Sequence, residues 1–198
     1  MNLPDTVRTY LDRQQCAYRL IPYPPREAIG QASERLDIPA RRIARAVLLK
    51  DAAGPIMAIL PHSHILDFSM LCQLRECDLE PLHGAETSRF FQARGCKGNS
   101  HPPLPDAFDI PALVDTSLSD DGDIYFEGGS GDCFVKMRGG DFGKLLPRVR
   151  WGRFAVQADD LDFLTGQQTL TPQNLTGLAH RYTPAQTRAG IESIAELP

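Results

Sequence analysis

Residues 38–61, IPARRIARAVLLKDAAGPIMAILP, leave the chain few ways to fold. Two apolar runs, 46–50 and 56–60, are bounded by Asp, Gly and Pro, which is the pattern of strands covered on both faces, and residues 51–54 between them suit a turn. They predict a hairpin at the centre of the core. A short basic helix end precedes the first strand, and Arg45 stands at that strand's mouth, where a side chain can leave the sheet while its backbone stays fixed. Chemistry in this domain is expected near that arginine.

A central hairpin needs cover on both sides, and a 198-residue chain with 42% hydrophobic content can bury a sizeable core as one domain with an appendage. The flanking sequence supplies the cover. Val7, Tyr10, Leu11 and Gln14 at helical spacing predict a helix over 4–15, a strand follows over 17–23, and Pro24-Pro25 stops it because a proline pair cannot donate to a ladder. Ala28, Ile29, Ala32 and Leu36 mark a second helix over 26–36. After the hairpin, Leu66, Met70, Leu71 and Leu74 mark a helix, 77–82 a short strand, and 84–94 a helix with Phe90 and Phe91 turned inward. Residues 95–109, rich in glycine and proline, predict a loop. Three strands are expected at 112–116, 123–127 and 133–138, with Gly128-Gly129 and Gly131 in the last turn, and a short helix at 141–146 closes the domain.

Beyond Pro147 the texture changes, with arginines around Trp151, an acidic patch at Asp159, Asp160 and Asp162, and a polar tract. Residues 148–198 are expected to be a linker and a C-terminal helix, with Thr183 as N-cap and Pro184 in its first turn.

A net charge of −4 argues against a general polyanion binder, since non-specific affinity for nucleic acid rests on Lys and Arg. The five scattered cysteines contain no C-x-x-C pair, so neither a disulfide framework nor a zinc site is indicated, and a reducing cytoplasm fits. No run is long and apolar enough for a bilayer. His62-x-His64 lacks further ligands at metal spacing. Asp141-Phe142-Gly143 matches a kinase tripeptide without the other kinase motifs, and is expected to start a helix. Cys96 is the one loop thiol, and Ser100-His101, being adjacent, do not by themselves make a nucleophile and base. Arg41, Arg42, Arg45 and Lys50 are either a solvated face or a phosphate clamp.

Four blocks, in this order and spacing, resemble the YbaK/prolyl-tRNA editing domain family of aminoacyl-tRNA deacylases: IARAVLLKD, ILPHSHILDFSML, Pro103-Leu104 followed by LVDTSL, and IYFEGGSGDCFVKMRGGDFGKLL. The likeness covers residues 4 to about 147, which makes 1–147 the expected domain. It implies a mixed α/β fold, of α+β type, round a curved, barrel-like sheet with surrounding helices, acting on the acceptor end of aminoacyl-tRNA without metal or organic cofactor. By the same resemblance Arg45 stands where the family has a phosphate-holding lysine, and Gly98, Ser100, His101 and Pro102 belong to the loop whose backbone N–H groups surround the aminoacyl carbonyl. Tyr23, Pro103, Leu104, Asp115, Gly128 and Gly129 would then contact the substrate.

Two departures stand out. Arginine replaces lysine, keeping the charge but changing reach and donor geometry, and the loop has its glycine further from Pro103-Leu104 than usual, with Pro105 where a glycine commonly follows. The sequence therefore supports two functions, an editing hydrolase with a variant site and a non-catalytic binding or signalling module on the same fold. The closing GIESIAELP resembles the start of an HDOD signalling domain.

Overall fold

The computed structural model describes residues 2–118 and 122–158. In chain order the elements are α1 (Asp5–Gln14), β1 (Tyr18–Pro22), α2 (Ile29–Arg35), a 3-10 turn (Ala40–Arg42), β2 (Ala44–Asp51), β3 (Gly54–Pro61) and β4 (His64–Leu66). They continue with α3 (Phe68–Arg75), β5 (Glu80–Pro81), α4 (Gly84–Gln92), α5 (Pro105–Phe108), β6 (Ala112–Asp115), β7 (Asp123–Glu127), β8 (Cys133–Arg138), α6 (Gly139–Lys144), β9 (Arg150–Gly152) and β10 (Ala155–Gln157).

The predicted hairpin is the centre of the molecule. β2 and β3 pair antiparallel with Arg45 opposite Leu60, and Asp51 Oδ1 accepts the N–H groups of Ala53 and Gly54 to close the turn. They lie inside a five-stranded sheet of order β5-β2-β3-β6-β9, in which β3, β6 and β9 run parallel. Alternation along β2 and β3 then decides the two cores. Ala44, Leu48, Met57 and Ile59 face α1, α4, α5 and the inner residues of β7 and β8; Leu49, Ile56, Ala58 and Leu60 face α3 and Phe154. Each face carries the apolar cover that the sequence required of it.

A second sheet, β1-β8-β7, meets the first through one parallel bridge between Ile43 and Tyr125. The described strands do not close into a barrel; they form two sheets that touch along this seam and a two-stranded pair, β4 with β10. Tyr23, Ile43 and Phe134 pack at the seam with Ala32 of α2.

Several boundaries differ from expectation for local reasons. α3 begins at Phe68 because the Asp67 side chain accepts the Met70 N–H at 3.0 Å, which leaves Leu66 in β4. The loop over 95–109 contains the four-residue α5, started by Pro105. Residues 150–157 are not a linker. β9 pairs with β6 and β10 with β4, and Phe154 between them is fully buried. The expected C-terminal helix and the GIESIAELP segment lie outside the described residues, among which no helix is long and apolar enough to cross a membrane.

Candidate functional site

The bridge between Ile43 and Tyr125 sets two strands running the same way, and two residues further on come Arg45 on β2 and Glu127 on β7. Residues two apart on a strand share a face. Both side chains therefore start from the side of the seam where Ile43 and Tyr125 pack with Tyr23 and α2. Ladder pairing between the strands stops at the bridge, and each polar side chain has gathered its own surroundings.

Glu127 is the better connected. It is buried, 8% exposed, and its Oε2 accepts the backbone N–H of His101 at 3.0 Å. The hydroxyls of Tyr23 and Ser100 approach the same carboxylate closely enough to favour its charged form. Ser100 Oγ in turn accepts the Gly129 N–H at 3.0 Å, and the Gly129 carbonyl accepts the Lys97 N–H at 2.7 Å. The strand end, the loop and the glycine turn are thus one network.

Burial is the larger influence on this carboxyl, pushing its pKa up to about 7 although its hydrogen-bond donors pull the other way. The His101 ring stacks on Phe91 with centroids 4.8 Å apart; burial holds its pKa down, and Nε2 is enclosed without a hydrogen-bond partner.

The glycines are there for space and for backbone shape. A Cβ on Gly128 would stand 2.6 Å from Leu3 Cδ2, and one on Gly129 about 3.0 Å from both Pro102 Cγ and Pro4 Cγ, at a backbone φ of +88°. Gly98, φ +60°, sits in the turn closed by the Ser100 N–H on the Lys97 carbonyl.

Arg45 is held differently. One terminal nitrogen donates to the His64 carbonyl at 2.8 Å, while Nε is enclosed without a partner, as is His62 Nδ1. Burial brings the Arg45 pKa down to about 10, which leaves it a cation at neutral pH, and burial together with the Arg45 charge lowers that of His62. Among the described residues no hydrogen bond or ion pair carries Arg45 to the loop. The basic run in sequence is also divided in space, since Lys50 lies at the far end of β2, paired with Glu80 at 3.1 Å.

Tyr23, Ser100, His101, Pro102 and Gly129 are therefore brought together, with Gly98 and Gly128 at the margin and Arg45 across the seam. Leu104, fully buried in the core, and the buried Pro103 support the loop from below. Asp115 is also fully buried; Oδ2 accepts the Phe154 N–H at 2.6 Å and Oδ1 the Ser117 N–H at 2.9 Å, so its carboxylate is engaged in joining β6 to β10.

The expected ring of loop N–H donors is largely taken as well. Those of Ser100, His101 and Leu104 bond within the fold, and prolines have none. Gly98 and Asn99 keep N–H groups without a hydrogen bond among the described residues.

Glu127 went unnoticed in the sequence because a glutamate between a strand and a glycine turn has the look of a surface residue. The signal was its parity with Tyr125, opposite Ile124 and Phe126. Cys96 is no nucleophile in this setting, its thiol pushed up to about 12 by burial and, secondarily, by Glu127. No group of His, Cys, Asp or Glu among the described residues could hold a metal ion. An open groove of about 560 Å³ lies at the other end of the hairpin, beside Lys50, Gly54 and Phe90, away from this network.

Solved structures share the fold. A candidate signal transduction protein from Marinobacter aquaeolei VT8 superposes with a TM-score of 0.64 at 22% identity, over 87% of this chain and 39% of that one. This chain thus spans about two fifths of that protein's length. A hypothetical protein matches at TM-score 0.66 and 17% identity, over 77% of this chain and 100% of that one. A candidate trans-editing enzyme for prolyl-tRNA synthetase matches at 0.61 and 15%, over 78% and 99%. No curated protein matches the chain. The model of the aminoacyl-tRNA editing domain matches residues 23–145, which run from the Tyr23 end of the network to the helix after β8, and with well over half of its length matched the chain belongs to that family.

Proposed function

We propose that this domain hydrolyses the ester of mischarged aminoacyl-tRNA, holding the acceptor end at the seam between its sheets. The observation that carries the reading is the convergence of Tyr23, Ser100 and His101 on one buried carboxylate, with Gly129 tied in through Ser100 and Arg45 two residues beyond the same bridge. An arginine whose buried Nε lacks an acceptor is suited to a phosphate oxygen, which offers a charge-assisted hydrogen bond.

The reaction makes modest demands. Water adds to the ester carbonyl, the bond to the terminal ribose oxygen breaks, and free amino acid and the tRNA hydroxyl are released. Positioning of the ester and N–H donors for the developing oxyanion supply the rate, and the N–H groups of Gly98 and Asn99 are the loop donors left for that task.

Arg45→Ala is expected to lower kcat/KM about 100-fold, the equivalent of losing a hydrogen bond to a charged group worth roughly 2–3 kcal/mol, with Arg45→Lys retaining most of the activity. The assay is ester loss from a panel of aminoacyl-tRNAs, prolyl-tRNA acceptors charged with alanine and cysteine included, against a buffer blank. Unchanged hydrolysis in Arg45→Ala across the panel sinks the assigned role.

A second reading is a binding or signalling module without turnover. Its support is the engagement of the Ser100 and His101 N–H groups within the fold, together with the Marinobacter protein's description as a candidate in signal transduction. Steady multiple-turnover hydrolysis of any ester in the panel eliminates it.

A further inference from the structure

We propose that Glu127 is the positioning residue of this site: its carboxylate, lying under the loop, holds Ser100 and His101 in place and through Ser100 sets the Gly129 N–H. The proposal deepens the editing reading and rests on it for its catalytic part, while its structural part stands on the network itself.

The groups that approach the carboxylate present three donors to it. From the end of β1 comes the Tyr23 hydroxyl, and from the loop the Ser100 hydroxyl and His101 N–H. Cys96, also in the loop, lies close enough for the Glu127 charge to raise its thiol, and Asp132 and Cys133 beside the glycine turn act on Tyr23. An ionised carboxylate accepts all three donors with lone pairs to spare. A protonated one brings a hydrogen of its own into a ring of hydrogens, and one donor must turn away.

The Tyr23 and Ser100 hydroxyls can both turn without moving backbone, but the one linked to the glycine turn is that of Ser100. Its oxygen also receives the Gly129 N–H, so its rotation disturbs the contact between the loop and the glycine turn. Ionisation of Glu127 is thereby coupled to the shape of residues 98–102. The carboxyl is poised at about 7, and the donors favour its charged form, so removing a donor raises that value further.

The test follows the amide resonances of His101 and Gly129 against pH in the full chain, in wild type, Glu127→Gln and Tyr23→Phe. Both amides are expected to titrate together with a midpoint near 7, to lose that titration in Glu127→Gln, and to shift their midpoint upward in Tyr23→Phe. A titration that survives Glu127→Gln, or a midpoint unmoved by Tyr23→Phe, overturns the proposal. The His101 ring cannot imitate the result, because removing the Tyr23 hydroxyl acts on the carboxylate.

Hydrolysis of alanine-charged prolyl-tRNA acceptor is read in parallel. Glu127→Gln is expected to lower kcat about 10- to 100-fold with little change in KM, the penalty of a loop displaced by a fraction of an ångström, and to flatten the fall in activity below neutral pH. Amides that behave as expected in a protein that hydrolyses no ester leave the positioning role in place and refute the editing reading. Amides that ignore Glu127 in an active enzyme do the reverse.

Discussion

Asp115→Ala is expected to destabilise the domain by about 3–5 kcal/mol, the sum of roughly 1–3 kcal/mol for each buried donor left without an acceptor. The side chain is fully buried, and truncation would leave the Phe154 and Ser117 N–H groups without their acceptor. For a protein of this size that is a fall in melting temperature on the order of 10 °C. Asp115→Asn, which keeps one oxygen, should lose less. The resemblance alone would put this residue beside the substrate, and thermal melts run alongside the tRNA assay separate the two roles. A variant that melts like wild type but has lost its affinity for aminoacyl-tRNA would return Asp115 to the site; a large loss of stability with KM retained well below the melting point makes it a structural joint.

Gly129→Ala is expected to harm activity more than Gly128→Ala, one residue away. The Gly129 backbone φ of +88° costs an L-residue roughly 1–3 kcal/mol, and the new Cβ would meet Pro102 and Pro4 at 3.0 Å and Cys96 Sγ at 3.1 Å. Ring carbons of two prolines cannot swing aside as a leucine tip can. Relief has to come from the backbone, which moves the Gly129 N–H off Ser100 Oγ and the loop with it. A drop of about 100-fold in kcat/KM is the scale for a misplacement near 1 Å. Gly128→Ala is the control. Its Cβ presses on Leu3 and Cys133 instead, so it should cost stability while sparing the contact with Ser100. Equal kinetic damage in both variants would mean that the glycine turn matters only for folding.

What could be seen in advance follows the physics of each element. α1, the β2–β3 hairpin and β6 to β8 carry their own periodicity and turn residues, and local pattern is enough to find them. β4, β9 and β10 are three residues each and include His, Arg, Trp, Gly and Gln. They are strands because of partners far along the chain, and nothing local announces that. The site divides in the same way. Arg45, Ser100, His101, Pro102 and the glycine pair could be nominated from residue type and family likeness. Glu127 could not, because its importance lies in what packs over it, and the engagement of the Ser100 and His101 N–H groups is a property of three-dimensional contact alone.

The pairings of β9 and β10 also bear on the order in which the chain can complete itself during synthesis. Until Gln157 has left the ribosome, β6 and β4 each present an unpaired row of backbone groups, and the α3 side of the central sheet lacks Phe154. Open edges beside apolar surface invite pairing with other chains. The nascent domain is therefore exposed to aggregation until its last ten described residues are made, and what looked like a tail after Pro147 acts as the stitch that ends that interval.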